Sequence, residues 1–397
     1  MKYDFDRIIN RRGTNAVKTD YMNPLFGRDD LTPLWVADMD FAVLPEITEA
    51  LKRRLDHPIY GYSTTPDSYW QAIIDWQRDR NAFQLCRDDL IHVPGIVKGV
   101  TYVINFYTHM GDKVVIQPPV YYPFRTVTQL SLRKVIENPL RRIDNSDGSV
   151  LRYEMDLDGL EQIFAEEKPK MMVLCNPHNP IGICWDTDTL REVARLAKKY
   201  GVIVISDEIH GDLAHKGHRH TPFATVSPEA AEVAITFGAP TKTFNVAGIV
   251  GSWCAVKNSI LRKDFFEWMT NSGFAEASMA ATITAETAYR HGGEWLAQLM
   301  DYLADNIEFV VNFLETSIPA IKAIRPEASF LIWLDCRQLG LNHDELIHLM
   351  VDEARLAMND GAMFGSQGDG FMRLNIGCPR SILADALRRM ANAVAGK

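Results

Sequence analysis

Apolar positions fall into two alternating rhythms through the middle of the chain. Short β-branched runs occur at Leu90–Val93, Lys113–Gln117, Lys170–Cys175, Val202–Ser206, Val233–Phe237 and Ile249–Val256. Most are continuously apolar, the pattern of strands buried on both faces. Between them lie amphipathic segments. Thr187–Tyr200 places Leu190, Val193, Ala194, Ala197 and Tyr200 on one helical face, and Val97–His109 behaves alike. Alternating strands and helices predict a doubly wound α/β domain.

The two ends differ. Residues 44–55 and 67–82 read as helices joined by a Pro- and Gly-rich connection. Beyond residue 294 comes a long amphipathic helix. Its apolar positions Trp295, Leu299, Leu303, Ile307, Val310 and Leu314 step by 4, 4, 4, 3 and 4, keeping one stripe toward a core. A break at Pro319–Pro326 follows. Then come a strand at Phe330–Leu334, a helix near His343–Ala354, a strand at Phe371–Ile376 and a last helix from Pro379. This pattern predicts three parts: an N-terminal segment (1–45) packing with a small domain, a large domain (46–293) and a small α+β domain (294–397).

Composition narrows the function. The 397 residues carry 42 Lys and Arg against 51 Asp and Glu, a net charge of −9. An acidic chain is a poor partner for nucleic acid, and any anionic ligand must meet a local positive pocket. No apolar run reaches the length of a membrane helix. The start, Met1-Lys2-Tyr3-Asp4-Phe5-Asp6-Arg7, is too polar for a secretory signal. The six cysteines form no Cys-x-x-Cys pair and mostly sit in apolar segments. A cytoplasmic protein with reduced thiols is expected.

Four stretches at strand ends carry candidate chemistry. Gly238-Ala239-Pro240-Thr241-Lys242-Thr243-Phe244-Asn245 holds one lysine among small and hydroxyl residues, without the Gly-Lys-Ser/Thr spacing of a nucleotide loop. A lone turn lysine is usually a surface residue. Desolvated at a strand end, its amine can instead serve Schiff-base chemistry. Asp207, in Asp207-Glu208-Ile209-His210, ends a buried strand, where open α/β sheets put their ligands. Such a carboxylate either caps the next segment or keeps a heteroaromatic nitrogen protonated. Cys175-Asn176-Pro177-His178-Asn179-Pro180-Ile181-Gly182 is a rigid turn that can hold cis peptides; its Asn179 can bond a phenolic oxygen. Pro118-Pro119-Val120-Tyr121-Tyr122-Pro123-Phe124 offers aromatic rings for stacking on a flat ligand or for covering the core. The histidines of Gly217-His218-Arg219-His220-Thr221-Pro222-Phe223 lack Asp, Glu or Cys at ligand spacing, so no metal site is expected.

Together, in this order, the stretches resemble the fold-type I pyridoxal 5′-phosphate (PLP) enzymes, the aspartate-aminotransferase-like superfamily. Pro33-Leu34-Trp35-Val36-Ala37-Asp38-Met39-Asp40-Phe41, the Lys-Thr-Phe-Asn core and the 217–223 loop are similar to the MalY/PatB-type C–S lyases, a cystathionine β-lyase-like branch. The resemblance implies a mainly parallel seven-stranded sheet plus a smaller α+β domain. It implies PLP attached to Lys242, Asp207 on the pyridine nitrogen, His210 beneath Asp207, Asn179 on the phenolic oxygen and Tyr121 stacked on the ring. The turn Gly95-Ile96-Val97-Lys98-Gly99 opens a helix, so the amides of Ile96, Val97 and Lys98 can cradle the phosphate. Thr241 adds a hydroxyl there. Tyr60 matches a tyrosine that reaches the phosphate from the partner subunit, which implies a homodimer with shared active sites. Arg373 matches the arginine that grips a substrate carboxylate through its planar fork, with Trp35 and Asn179 beside the substrate.

Two positions depart from many relatives. Val250 stands where an arginine often bonds the phosphate, and Ala239 replaces a frequent serine. The implied activity is β-elimination from cystathionine, cystine or an S-substituted cysteine, giving pyruvate, ammonia and a thiol. An aminotransferase uses the same residues and is the alternative; a PLP-binding regulatory protein is a third. Trp35, Tyr60, Tyr62, Tyr121 and Tyr122 suggest an aromatic-rich substrate pocket.

Overall fold

The structure is a computed structural model that describes residues 2–396. Its center is a sheet of seven strands: β1 (Leu90–Val93), β2 (Lys113–Ile116), β3 (Lys134–Glu137), β4 (Met171–Cys175), β5 (Ile203–Asp207), β6 (Ala234–Gly238) and β7 (Ser252–Ala255). The order across the sheet is β1-β7-β6-β5-β4-β2-β3. Strand β7 alone runs antiparallel to its neighbours β1 and β6; the other pairings are parallel.

The continuous apolar runs have a simple cause. Side chains alternate faces along a strand. Val114, Ile116, Met171, Val173, Ile205 and Phe237 enter one core. Val115, Met172, Leu174, Val204 and Trp253 enter the other. Both faces are covered, so most positions are apolar, with His92, Ser206 and Thr236 among the buried polar exceptions.

A second sheet holds β8 (Lys322–Ile324), β9 (Leu331–Asp335), β10 (Asn359–Asp360) and β11 (Phe371–Asn375), in the antiparallel order β8-β9-β11-β10. The helix Gly293–Ser317 buries all six of its expected stripe residues. The N-terminal segment reaches this part of the molecule. Thr32–Pro33 pairs in parallel with Leu356–Ala357, and the Phe5 ring lies edge-on to Phe41 and Trp295.

Several expectations need correction. Strand β3 was not anticipated, because it is a half-exposed edge strand ending in Lys134 and Glu137 and has no apolar run. Strand β7 begins at Ser252 rather than Ile249, since Ile249–Gly251 belongs to a connecting loop. The helix expected over His343–Ala354 is α-helical only to His348, then continues as a wider turn at Leu349–Glu353.

Gly238 ends β6 opposite Trp253 on β7. A Cβ at this position would lie 2.1 Å from the Trp253 ring, which is itself buried. Gly238→Ala is expected to cost about 2 kcal/mol of stability through overpacking. Urea denaturation checks this: the midpoint falls while the slope is unchanged.

Candidate active site

The C-terminal ends of the parallel strands converge on one edge of the large sheet, where α/β folds place their ligands. A cavity of about 320 Å³ opens there, within the usual range for small-molecule sites. Tyr121 after β2, Cys175 at the end of β4 with Asn179 beyond it, Asp207 at the end of β5 with His210 beyond it, Thr241 and Lys242 after β6, and Ser252 at the start of β7 all line it. The turn Pro94-Gly95 and the first turn of the helix Ile96–Tyr107 close one side. The amides of Ile96, Val97 and Lys98 have no carbonyl partner within the helix and form its positive end. Gly95 has φ of 103°, and a Cβ there would come within 3.3 Å of Val250.

Lys242 sits in a one-turn helix, Pro240–Thr243, whose Thr243 hydroxyl donates to Asp212 at 2.9 Å. Its side chain borders the cavity, with protein on its other sides. Its Nζ donates to the Ala37 carbonyl. Burial and the nearby Arg373 lower the amine to about 8, against the opposing pull of Asp38 and Asp207. Asp207 is buried and accepts the Ile209 amide at 3.1 Å. Burial raises its carboxyl to about 7.

Arg373, on β11, is buried and approaches from the small sheet. It donates to Asn179 Oδ1 at 2.9 Å, to the Trp35 carbonyl at 3.0 Å and to Asn359. Its Nε has no partner in the protein. Phe364 lies 5.0 Å from the guanidinium, and burial pulls Arg373 down to about 10.

A backbone strap over residues 34–41 walls the cavity between the two sheets. Its carbonyls are claimed one after another. Asn375 takes Leu34 through its amide and Val36 and Asp38 through its side chain. Arg373 takes Trp35, Lys242 takes Ala37, and Asn245 takes Met39 and Phe41. Asn245 adopts φ of 56°, a left-handed conformation that asparagine tolerates well.

A family model described as aminotransferase class I and II matches residues 29–390. The chain belongs to this family. Cystathionine beta-lyase PatB of Bacillus subtilis is 38% identical, covering 98% of this chain and 100% of the relative. Protein MalY of Escherichia coli is 32% identical, covering 99% of each. Among solved structures, cystalysin from Treponema denticola, which contains a pyridoxal 5′-phosphate cofactor, superposes with a TM-score of 0.93 at 32% identity. It covers 100% of both chains. The PLP-bound C–S lyase from Staphylococcus hominis gives 0.90 at 28%, covering 99% of both. The fold is therefore fold-type I, as the motifs implied, with the seven-stranded sheet in place.

The structure gathers Lys242, Asp207, Asn179, Tyr121, His210, Thr241, Ile96, Val97 and Lys98 around one cavity, with Arg373 bonded to Asn179 at its rim. Others are placed differently. The Trp35 indole donates to the Lys18 carbonyl and packs on Phe26, so only its backbone carbonyl faces Arg373. Tyr60 is 61% exposed, with its hydroxyl on the Leu55 carbonyl; together with Tyr62 it lines a separate surface depression. Tyr122 is exposed as well. Of the five rings expected to make an aromatic pocket, Tyr121 alone lines the cavity of this chain. His210 borders the cavity rather than supporting Asp207 from behind: no hydrogen bond joins them, and its Nδ1 is unpartnered. Burial drops its ring to about 3, so it is neutral at physiological pH. Sequence reasoning missed Asn245, Asn375 and the Ala37 carbonyl, although Asn245 closes the Lys-Thr-Phe-Asn stretch.

The raised carboxyl of Asp207 has a consequence for stability in the cofactor-free protein. Between its unfolded value near 4 and its folded value of about 7, the native state binds the extra proton, so rising pH favours unfolding. The stability of Asp207→Asn relative to the parent is expected to grow from pH 4 to pH 7 and level off above. Urea denaturation at fixed pH steps measures the difference.

Proposed function

We propose that this protein is a PLP-dependent carbon–sulfur β-lyase. Its substrates would be amino acids with sulfur on Cβ: cystathionine, cystine or an S-substituted cysteine. The products would be pyruvate, ammonia and a thiol. The observation that carries the reading is a desolvated amine, Lys242, in one cavity with a buried carboxylate at a strand end and an arginine at the rim. The names of PatB and of the S. hominis enzyme support elimination as the reaction.

The donor set fits PLP. Lys242 offers an amine that is partly free near neutral pH, as covalent attachment requires. Asp207 supplies a negative charge for a pyridinium, and Asn179 an amide for a phenolic oxygen. Tyr121 offers a ring face. The amides of Ile96, Val97 and Lys98, with the hydroxyls of Thr241 and Ser252, form an anion cradle without an arginine. Val250 and Ala239 leave that cradle dependent on dipoles and on the exposed Lys98.

When bound, PLP supplies an electron sink for the substrate α-carbon. The chain does the rest. Arg373 holds the α-carboxylate and fixes which Cα bond faces Lys242. Lys242 takes the α-proton, the Cβ–S bond breaks, and the departing thiolate takes a proton from Lys242. Released 2-aminoacrylate hydrolyses to pyruvate and ammonia.

The remaining expectations belong to this proposal. The protein acts as a homodimer in which exposed Tyr60 reaches the partner's phosphate cradle. Residues 46–293 form the large domain, and residues 1–45 and 294–397 form the small one. The location is cytoplasmic. Among the described residues no helix is long and apolar enough to cross a membrane.

Incubation with L-cystathionine is expected to yield pyruvate and free thiol in equal amounts. If neither appears while amino groups exchange between amino and keto acids, the aminotransferase reading replaces this one. Lys242→Ala is expected to abolish both the activity and the visible absorbance of bound PLP. Arg373→Lys keeps the charge but loses the fork, and kcat/KM is expected to fall by about ten- to a hundredfold. Steady-state kinetics on one S-substituted cysteine measures it.

A further inference from the structure

A charged cluster lies directly behind the strap and has no part in the reaction just described. Lys18 is 0% exposed. Its ammonium lies 2.8 Å from Asp40 and 3.6 Å from Asp38, and it also donates to the Asp38 carbonyl at 3.2 Å. Arg11, half-buried, grips Asp38 with two nitrogens at 2.6 and 2.9 Å and reaches Asp40 at 2.7 Å. Two cations and two carboxylates thus close on each other.

The cluster acts on the residue next to it. Asp38 follows Ala37, whose carbonyl receives Lys242. The Asp38 amide donates to the Val36 carbonyl at 2.9 Å, which folds a tight turn about Ala37. Asn375 holds the carbonyls on both sides of Ala37. The one carbonyl left over points at the lysine.

We propose that Asp38, clamped by Arg11 and Lys18, is a positioning residue that fixes the Ala37 carbonyl on Lys242 and sets a negative charge beside the lysine nitrogen. The inference rests on Lys242 being the reactive amine. Its role comes when Lys242 is released: an amine parked on a carbonyl stays in place to receive a proton and return it. Asp38 favours the ammonium, Asp207 does so from β5, and Arg373 opposes them from β11; His210 beside Asp207 is neutral. Arg11 and Lys18 hold Asp38 below the ordinary carboxylate range despite its burial. They also attenuate its field at Lys242, since each cation cancels part of it.

This arrangement makes a prediction of opposite signs. In the PLP-loaded full-length protein, the visible band of the lysine-bound cofactor is titrated with pH. Asp38→Asn is expected to lower the midpoint by about half a pH unit or more, and Arg11→Gln to raise it by a similar amount. A purely mechanical role moves both midpoints the same way or neither, and either result overturns the proposal. The cofactor-free full-length protein gives a second readout. With isotope-labelled lysine, the NMR signal of Lys242, assigned by its loss in Lys242→Ala, should shift its titration in the same two directions. If no band forms with PLP yet the NMR midpoints move apart as stated, the lyase reading fails and this inference stands. If the band forms and neither midpoint moves, the reverse holds. Should Asp38→Asn not fold, Arg11→Gln alone decides, because only a raised midpoint agrees.

Discussion

A partly buried amine on the wall of an open cavity is the constraint around which this molecule is organised. A buried ammonium is unfavourable unless opposite charge or hydrogen-bond acceptors compensate it. At Lys242 the compensation is deliberately incomplete. The carboxylates of Asp38 and Asp207 favour the charged form, while burial and Arg373 disfavour it more, and the balance leaves the group near 8. An amine there is neutral often enough to attack and charged often enough to donate a proton. Each opposing influence comes from a different part of the chain, so the lysine can be tuned only if those parts are held in register.

The strap provides that register. It makes no long strand with either sheet; Thr32–Pro33, just before it, pairs with Leu356–Ala357, which belongs to neither. Its backbone groups are instead satisfied by side chains and backbone of both lobes. Asn245 comes from the Lys242 turn of the large sheet, and Asn375 and Arg373 come from β11 of the small one. Buried carbonyls need partners. Here the partners include Lys242 and Arg373 themselves, so the wall of the cavity and the groups proposed to react there settle together.

What the amino-acid pattern revealed follows from this physics. Strands buried on both faces announce themselves as apolar runs, and the residues just after them stand at the sheet edge. Lys242, Asp207, Asn179 and Tyr121 therefore meet around one cavity. The edge strand β3 has only one protected side and too little apolar character to be noticed. The direction of Trp35 depended on a distant carbonyl, that of Lys18, to satisfy its indole N–H. Asn245 and Asn375 were invisible for a related reason: the carbonyls they hold lie about 200 to 340 residues away. Asparagine in a loop carries no pattern that says which backbone it will hold.

That separation has a meaning for the life of the chain before it is complete. Synthesis delivers the N-terminal segment first, but most of the residues that claim its carbonyls stand at positions 242 to 375. Contacts of such long range form late. Before those residues are in place, Lys242 lacks both the Ala37 carbonyl and the Arg373 charge that lowers its amine. The influences that set its amine come together only when β11 packs against the strap. The state of the Lys242 amine is thus a property of the assembled fold and not of the turn that carries it.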